Sequence, residues 1–433
     1  MTKPLRIGLA GLGTVGGGVG KILEQQGDRL ASLAGRPIVI SAVSARDRSK
    51  DRGFDQSAAV WFDDPIAMAG QADIDVFVEL MGGADGPAKV AVEAALAAGR
   101  HVVTANKALV AHHGANLAAI AEQSGAALNY EAAVAGGIPI IKAMREGLVA
   151  NSIHSVAGIL NGTCNYILTE MEATGADFSD VLGDAQKLGY AEADPSFDVG
   201  GIDAAHKLAI LASIAFGTRV DFGSVYVEGI EAIGIDDIHF AAEFGYRVKL
   251  LGITTLNDKG LVEQRVHPAL VPLTSPLAAV SGVTNAVSVE GSSVGNVVLE
   301  GPGAGEGPTA SAVIADLVDI ARGIVFPPFG LPHSALSAPR SADMADHSGS
   351  YYLHVKAADR AGSMAEITKA LADAGVSIEQ IVQHPDRGQG GEWLPVVLLT
   401  HETREATMQK ALSLLEEHAD VVSAPVVIRI EDR

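Results

Sequence analysis

The N-terminal residues combine a short apolar segment with three closely spaced glycines. The apolar segment is Leu5 to Ala10, the glycines lie in the run GLGTVG from Gly11 to Gly16, and helix-compatible sequence continues to Glu24. A strand, a G-x-G-x-x-G turn and a helix in this order are typical of a parallel sheet that binds a dinucleotide, with a generic glycine turn as the alternative. The helix N-terminus would then hold the pyrophosphate. The predicted cofactor-binding residues of this turn are Gly11, Gly13, Thr14, Val15 and Gly16.

The residues after the second predicted strand, Pro37 to Val43, bear on the choice of cofactor. They read Ser44-Ala45-Arg46-Asp47-Arg48. Arg46 and Arg48 are suited to a ribose 2′-phosphate, which favours NADP. Asp47 is suited to a free 2′-hydroxyl, so NAD stays open. Solvated loop arginines are the alternative, above all for Arg48.

Strands and helices then alternate with short connections. The next predicted strands are Val76 to Leu80, His101 to Ala105 and 127–131. The predicted helices between them are Pro87 to Ala98 and 114–124. This alternation predicts an α/β, doubly wound, Rossmann-type sheet. Thr104 and Lys107 lie at the carboxyl end of a strand, where such sheets bind ligands, so both are predicted at the cofactor site. An exposed lysine at a helix entry is the alternative for Lys107.

Composition and charge exclude several classes of partner. The chain has 433 residues, a formal charge of −21 and one cysteine, Cys164. The length allows two or three domains. The charge repels nucleic acid and anionic membranes, and no apolar run reaches the length of a membrane span. A single cysteine forms no intrachain disulfide, which favours a reducing, cytoplasmic compartment.

The rest of the chain predicts two further domains. Residues 1–132, with a return helix at about 308–330, would bind the dinucleotide, and residues 133–307 read as an α+β substrate and dimerisation domain. Predicted helices lie at 139–149, 162–173, 179–188 and 202–216, and strands at 247–256, 260–267, 285–291 and 294–300. Residues 331–349 are rich in Pro, Ser, Ala and Asp and read as a linker. Residues 350–433 follow the order βαββαβ, a ferredoxin-like arrangement.

A conspicuous acidic stretch runs from Ala185 to Lys207 into an apolar helix. Asp203 and Lys207 are four residues apart, so a helix places carboxylate and ammonium side by side. Such a pair at the mouth of an apolar helix can position a proton-transfer group. The alternative is a surface ion pair.

The same stretch reads A-x-x-x-G-Y-A-x-x-D-P-x-x-D-V-x-G-x-D-x-x-x-K, which resembles the signature of homoserine dehydrogenase. Three other stretches are similar to that family: T-A-N-K-A-L from Thr104, N-G-T-x-N-Y-I-L from Asn161, and G-x-G-A-G-x-x-P-T-A from Gly301. The signature residues are Ala185, Gly189, Tyr190, Asp194, Pro195, Asp198, Gly201, Asp203 and Lys207.

The resemblance implies an NAD(P)-dependent oxidoreductase that interconverts homoserine and aspartate 4-semialdehyde. It implies that Lys107 and Lys207 contact the reacting oxygen, with Asp203 orienting Lys207. The implied substrate residues are Glu192 for the ammonium group, Asp198 for support of the loop, and Gly162 and Thr163 for the amino-acid end. Gly305 would close over the cofactor.

The resemblance also implies a sodium-type cation after the nucleotide domain. Its ligands would be the Glu131 carboxylate and the backbone carbonyls of Val134, Gly136 and Ile138. The alternative is a domain-crossing hinge in which Glu131 caps a helix.

Two C-terminal stretches, Asp359 to Ser363 and Leu371 to Ile378, resemble an ACT domain. That family usually binds a small amino acid, so feedback control by threonine and a homodimer or homotetramer are implied. A dimerisation module without a ligand is the alternative.

Two rival functions remain. One is another amino-acid or semialdehyde dehydrogenase, which needs a catalytic cysteine or histidine; Cys164 has no basic neighbour in the sequence. The other is a non-catalytic amino-acid sensor in which the acidic stretch is structural.

Overall fold

The computed structural model describes residues 3–257, 259–383 and 393–432. The N-terminal part forms a six-stranded sheet whose strand pairs are all parallel, in the order β3-β2-β1-β4-β5-β6. The predicted doubly wound α/β sheet is confirmed. The sequence reasoning missed the short edge strand β3. The strands are β1 (Leu5–Ala10), β2 (Ile38–Ser44), β3 (Val60–Phe62), β4 (Val76–Glu79), β5 (His101–Thr104) and β6 (Leu128–Asn129).

Four helices connect these strands. They are α1 (Thr14–Ala34), α2 (Pro65–Gln71), α3 (Pro87–Ala97) and α4 (Lys107–Ser124). Helix α4 begins seven residues before the predicted start at 114, because the Asn106 side chain accepts a hydrogen bond from the Leu109 N–H and caps the helix. Lys107 is therefore the first residue of a helix that follows directly on β5.

A mixed, 11-stranded sheet occupies the rest of the described chain. Helix α9 (Ile202–Phe216) packs across three of its strands, β7 (Ile153–Ile159), β9 (Tyr246–Leu256) and β10 (Val262–Pro272). The middle strands are β7 (Ile153–Ile159), β8 (Tyr226–Val227), β9 (Tyr246–Leu256), β10 (Val262–Pro272), β11 (Thr284–Gly291) and β12 (Gly295–Pro302). The helices are α5 (Ile140–Lys142), α6 (Gly162–Thr174), α7 (Phe178–Lys187), α8 (Ser196–Val199), α9 (Ile202–Phe216), α10 (Ile235–Glu243), α11 (Pro276–Ala279) and α12 (Glu306–Ala321).

Two predicted helices differ in extent. The helix predicted at 139–149 is the single turn α5 followed by a π-helical turn over Ala143–Gly147. The return helix predicted at about 308–330 is α12, which ends at Ala321 because Gly323 takes a left-handed conformation (φ 79°) and two prolines follow. Helix α12 packs against α1, and Lys21 pairs with Glu306 across that contact at 2.7 Å.

The C-terminal part has the predicted βαββαβ order with one additional short strand, β16. Its last strand, β17 (Val426–Ile430), pairs in parallel with β10 over Ala269 and Leu270, so the C-terminal strands continue the same mixed sheet. The stretch predicted as a linker is tied to the body, because Val262 N–H donates to the Arg340 carbonyl and Ala342 N–H donates to the Val262 carbonyl. The C-terminal elements are β13 (Ser348–Ala358), α13 (Ser363–Ala374), β14 (Ile378–Gln383), β15 (Trp393–Thr400), β16 (Thr403–Arg404), α14 (Glu405–Glu416) and β17 (Val426–Ile430).

Within the described ranges, no helix combines the length and apolar character needed to cross a bilayer.

Candidate active site

The glycine turn between β1 and α1 has the backbone geometry that a dinucleotide requires. Gly11 has a φ of 96°, and a Cβ there would lie 2.4 Å from the Leu80 carbonyl oxygen. A Cβ at Gly16 would lie 2.1 Å from the Gly11 carbonyl oxygen, whereas a Cβ at Gly13 would meet no described atom within 4 Å. The turn therefore needs Gly11 and Gly16 for its own packing and leaves the backbone at Gly13 open to a ligand. Thr14 and Val15 form the first turn of α1 beside it.

A cleft of about 660 Å³ opens over this turn and the carboxyl ends of the strands. Its walls include Gly11, Gly13, Arg46 and Asp47, which the sequence analysis considered, and also Lys50 and Arg52. The sequence reasoning overlooked these last two cations, although they follow Arg46 closely. Arg48 is not among the residues of the cleft wall; its guanidinium carbon lies 5.6 Å from the centre of the Trp61 ring.

The strand ends β4 and β5 are joined by a buried polar network. The Glu79 carboxylate accepts hydrogen bonds from the Met81 and Gly82 N–H groups and from the Thr104 hydroxyl at 2.6 Å. The Thr104 hydroxyl oxygen in turn accepts from the Asn106 N–H. Thr104 was predicted to bind the cofactor. In this structure its hydroxyl bonds to Glu79 and to the Asn106 N–H and so holds the loop that leads to Lys107. The sequence analysis did not single out Glu79, although a carboxylate at the end of an apolar strand could have indicated a functional residue.

Asp203 brings the two predicted lysines together. Its Oδ1 atom lies 2.6 Å from Lys107 Nζ, and its Oδ2 atom lies 2.7 Å from Lys207 Nζ. Lys207 also donates to the Leu160 carbonyl at 2.6 Å. Lys207 is nearly buried, whereas the Lys107 side chain is 34% exposed. Lys107 comes from the start of α4 and Lys207 from α9, so the Asp203 carboxylate joins a helix of the parallel-sheet part to a helix of the mixed-sheet part.

One carboxylate cannot fully balance two ammonium groups. Burial alone would raise the pKa of Asp203, but Lys207 and Lys107 hold it well below its usual range. Burial lowers the pKa of Lys207, and the charge of Lys107 lowers it further. Burial also acts against the charged form of Lys107, but Asp203 outweighs it and raises that pKa. The two lysines therefore differ, because the surroundings favour the neutral form of Lys207 and the charged form of Lys107.

Asn161 holds the acidic segment in place and was overlooked as a site residue. Its Nδ2 atom donates to Asp198 Oδ1 at 2.8 Å and to Asp203 Oδ2 at 2.9 Å. Its Oδ1 atom accepts from the Cys164 N–H and caps α6. An asparagine just before a predicted helix was the available signal. Burial raises the pKa of Asp198, the second carboxylate on this amide.

The predicted substrate residues surround this core at different depths. The Thr163 hydroxyl donates to the Tyr190 carbonyl at 2.8 Å, which ties α6 to the acidic segment. Gly162 packs closely, since a Cβ there would lie 2.6 Å from the Val283 carbonyl oxygen. Glu192 is exposed, and its charge contributes to the raised pKa of Lys107. Gly305 is the N-cap of α12 and is exposed.

Cys164 does not have the chemistry of a nucleophile. It is buried, burial raises the pKa of its thiol, and its Sγ atom donates to the Asp198 carbonyl at 3.2 Å. A neutral, buried thiol is inert. This geometry removes the main support for a cysteine-dependent semialdehyde dehydrogenase.

A pair of histidines lies beside the lysines and was not anticipated. The Nε2 atoms of His112 and His206 are 3.2 Å apart, and the His206 ring packs on Phe222 with centroids 4.3 Å apart. Burial, with a contribution from His112, lowers the pKa of His206 to about 4. The His206 imidazole is therefore favoured in its neutral form.

Glu131 caps a helix, as the alternative reading of the sequence expected. Its two carboxylate oxygens accept from the N–H groups of Ile141 and Lys142, each at 2.9 Å. Burial raises the pKa of Glu131 to about 7, and nearby Asp316 adds to this effect.

The backbone after Glu131 turns sharply, with positive φ values at Ala135 and Gly136, and the Ile138 carbonyl accepts from the Ile140 N–H. The Glu131 carboxylate and the Ile138 carbonyl already accept hydrogen bonds, but an oxygen that accepts one bond keeps a lone pair, so a carbonyl-lined cation fits these donor types. Among the described residues, no group of three or more His, Cys, Asp or Glu side chains is arranged to hold a metal.

Three family models match the chain. The model described as homoserine dehydrogenase, NAD binding domain, matches residues 11–131, the homoserine dehydrogenase model matches residues 139–318, and the ACT domain model matches residues 351–420.

The similarity to known proteins extends over nearly the whole length of the chain. A homoserine dehydrogenase from Neisseria gonorrhoeae is 46% identical over 436 residues, which is 99% of both chains. The crystal structure of a homoserine dehydrogenase from Thiobacillus denitrificans is 44% identical, with a TM-score of 0.93 and 99% coverage of each chain. A hyperthermophilic archaeal homoserine dehydrogenase in complex with NADPH is 25% identical, with a TM-score of 0.63, covering 73% of this chain and 97% of that one.

Proposed function

Because the chain belongs to the homoserine dehydrogenase family, oxidoreductases with a nicotinamide dinucleotide-binding domain, we propose that it interconverts L-homoserine and L-aspartate 4-semialdehyde in the biosynthesis of threonine, methionine and isoleucine. The observation that carries the proposal is the pairing of Lys107 and Lys207 with the two oxygens of Asp203. Two ammonium groups held on one carboxylate can both reach an oxygen at which negative charge develops.

The bound nicotinamide supplies or accepts the hydride. Lys207 gives a proton to the alkoxide oxygen in reduction and takes it back in oxidation, since its lowered pKa brings it nearer to the working pH. Lys107, which keeps its charge, stabilises the developing oxyanion. Asp203 orients both lysines, and Asn161 orients Asp203.

The substrate's polar groups are assigned to the neighbouring segments. Glu192 binds the ammonium group from its exposed position. Gly162 and Thr163 bind the amino-acid end, Thr163 through its hydroxyl oxygen, because its proton is donated to Tyr190. Asp198 supports the acidic segment through Asn161.

For the cofactor, the residues assigned to the pyrophosphate are Gly11, Gly13, Thr14, Val15 and Gly16. Thr104 and Gly305 are assigned to the cofactor site as well. We propose NADP(H) as the preferred form. The support is the group of three cations in the cleft wall, Arg46, Lys50 and Arg52. Asp47 Oδ1 accepts from both the N–H and the hydroxyl of Ser49, so this carboxylate oxygen is engaged within its own loop.

The remaining features stay predictions. They are a sodium-type cation held by Glu131 with the carbonyls of Val134, Gly136 and Ile138, feedback by threonine through the C-terminal domain, a homodimer or homotetramer, and a cytoplasmic location. The proposed domains are 1–132 with the return segment 308–330, 133–307, the linker 331–349 and 350–433. The matches at 11–131 and 351–420 support the first and the last, whereas the match at 139–318 extends into the return segment.

Absorbance at 340 nm tests the proposal directly. The chain mixed with L-homoserine and NADP should produce a steady rise, and added L-threonine should slow it. A chain that binds NADP but produces no rise with homoserine would instead support the non-catalytic sensor.

A further inference from the structure

Lys249 is a cation in the interior of the mixed sheet that the proposed mechanism does not use. It lies on β9 and is 1% exposed. Its Nζ atom donates to Asn165 Oδ1 at 3.1 Å and to the Val280 carbonyl. Both partners are neutral, and no carboxylate of the described ranges pairs with it. Burying an ammonium group without a carboxylate is costly, so an anion that binds nearby would be favoured.

The surrounding charges do not neutralise Lys249. The charged side chains that act on its pKa are Arg247, on the same strand, and Glu172, on α6. These two pair with each other at 2.8 Å. Burial is the main cause that lowers the pKa of Lys249, to about 8. The ammonium group is therefore still mostly charged at neutral pH, and its charge is left over.

The position of Lys249 is under the first turn of α6. Its partner Asn165 is the fourth residue of this helix, and Gly162, which is assigned to the substrate, is the first. The Asn165 Nδ2 atom donates to the Gly282 carbonyl at 2.9 Å. A Cβ at Gly162 would lie 2.6 Å from the Val283 carbonyl oxygen. The Asn165 amide therefore connects the buried ammonium group to the loop that packs on the start of α6.

The charge of Lys249 is near enough to act on an anion at the start of α6. Asn165 and Gly162 are separated by a helical rise of about 4.5 Å. Together with the 3.1 Å bond to Asn165, this places the ammonium group roughly 10 Å from the helix start. Across a partly screened protein interior, a unit charge at that distance changes the affinity for a carboxylate roughly tenfold. The N-terminus of the helix dipole acts in the same direction.

The substrate site offers its carboxylate little other positive charge. Lys107 and Lys207 are paired with Asp203 and are assigned to the reacting oxygen. Glu192 and Asp198 add negative charge to the same segment, and both act on Lys107. A carboxylate that enters this site therefore meets more carboxylates than ammonium groups. It is repelled unless a further cation acts on it.

We propose that Lys249 is the specificity-determining cation for the substrate's carboxylate, and that it acts through the first turn of α6 on an amino acid held at Gly162 and Thr163. Because it does not touch the substrate, it is a positioning residue. The inference deepens the proposed function and rests on it. A buried charge suits this role, since water and salt screen it less than a surface charge.

Competitive inhibition against homoserine measures what the carboxylate contributes. L-2-aminobutyrate is homoserine without its hydroxyl group, and propan-1-amine lacks the carboxylate as well. The wild type should bind L-2-aminobutyrate more tightly. Lys249→Met keeps the length of the side chain and removes its charge. In this variant the ratio of the two inhibition constants should fall about tenfold.

A merely structural role of Lys249 predicts a different result. Damage to α6 or to the loop beside it would weaken both inhibitors alike and leave the ratio unchanged. Lys369→Met, on α13 with a side chain 68% exposed, is the matched control and should keep the ratio of the wild type. An unchanged ratio in Lys249→Met, folded by circular dichroism, would overturn the proposal.

The pH dependence of the wild type tests the same role without a substitution. Lys249 loses its charge as pH rises through its pKa of about 8, so the advantage of L-2-aminobutyrate should shrink between about pH 7 and about pH 9. Both inhibitors carry an ammonium group, so their ratio cancels titrations that affect them equally. A ratio that stays constant over this range in the wild type would overturn the proposal, whether or not Lys249→Met folds.

The same assay separates this role from the proposed function. If the wild type does not oxidise homoserine, the proposed function falls and the role of Lys249 falls with it. If the wild type oxidises homoserine but the ratio does not depend on Lys249, the function stands and only the role of Lys249 is overturned.

Discussion

Lys107 Nζ lies 2.6 Å from Asp203 Oδ1, although Lys107 starts the helix after β5 of the parallel sheet and Asp203 lies on α9, which packs on the mixed sheet. This ion pair joins the cofactor-binding part of the chain to the acidic segment at one point. Because Asp203 also holds Lys207, the contact sets the relative position of two ammonium groups that no local sequence pattern connects.

Replacing Lys207 by alanine should remove turnover while the cofactor still binds. Loss of a proton-transfer group lowers kcat by about 10²–10⁴-fold. Steady-state kinetics with homoserine and fluorescence titration with NADPH measure the two effects. Lys187→Ala, an exposed lysine on α7, is the control and should keep normal kcat. An ordinary kcat in Lys207→Ala would remove the assignment.

Replacing Lys107 by methionine should move the pH profile of homoserine oxidation. The neutral form of Lys207 is the base in this direction, so kcat/KM rises as pH passes through its pKa. The charge of Lys107 lowers that pKa, and without it the rising limb should shift to higher pH. The profile of residual activity measures the shift. A limb that stays in place or moves to lower pH would show that another group titrates.

Arg46→Ala should weaken NADPH more than NADH. A charge-assisted contact to a 2′-phosphate is worth about tenfold in affinity and is absent with NADH. The ratio of KM values for the two cofactors measures the change. Arg48→Ala is a useful control, because Arg48 packs on Trp61 and should leave the ratio near that of the wild type. Equal losses for both cofactors in Arg46→Ala would mean a structural role.

His206 should make the fold less stable in mild acid. Burial lowers its pKa from 6.5 to about 4, so between these values the unfolded chain binds a proton that the folded chain does not. The free energy of unfolding therefore falls as pH drops through this window. With allowance for solvent screening, the loss should be about 1 kcal/mol between neutral pH and pH 5.

Urea unfolding of the wild type and His206→Gln at both pH values checks this. The variant should lose less stability on acidification, while His239→Gln, at an exposed site on α10, should follow the wild type. Parallel losses in all three proteins would mean that His206 is protonated in the folded state too.

The sequence by itself determined the local elements and part of the site. The strand and glycine turn at Gly11, the spacing of Asp203 and Lys207, and the βαββαβ order of the C-terminal part all follow from patterns within a few residues, because hydrophobic period and turn chemistry are local properties. Where a cap decided a boundary, as Asn106 does for α4, the pattern was correct in type and wrong in extent.

The tertiary structure alone decided which distant groups meet. Three contacts depend on how separate elements dock. Asn161 bonds to both Asp198 and Asp203, Arg48 packs on Trp61, and β17 extends the sheet from β10. Such contacts join residues far apart in the chain, and many sequences with the same local patterns would dock differently. Packing between layers, and not any periodicity along the chain, therefore determined that Lys107 and Lys207 share the Asp203 carboxylate.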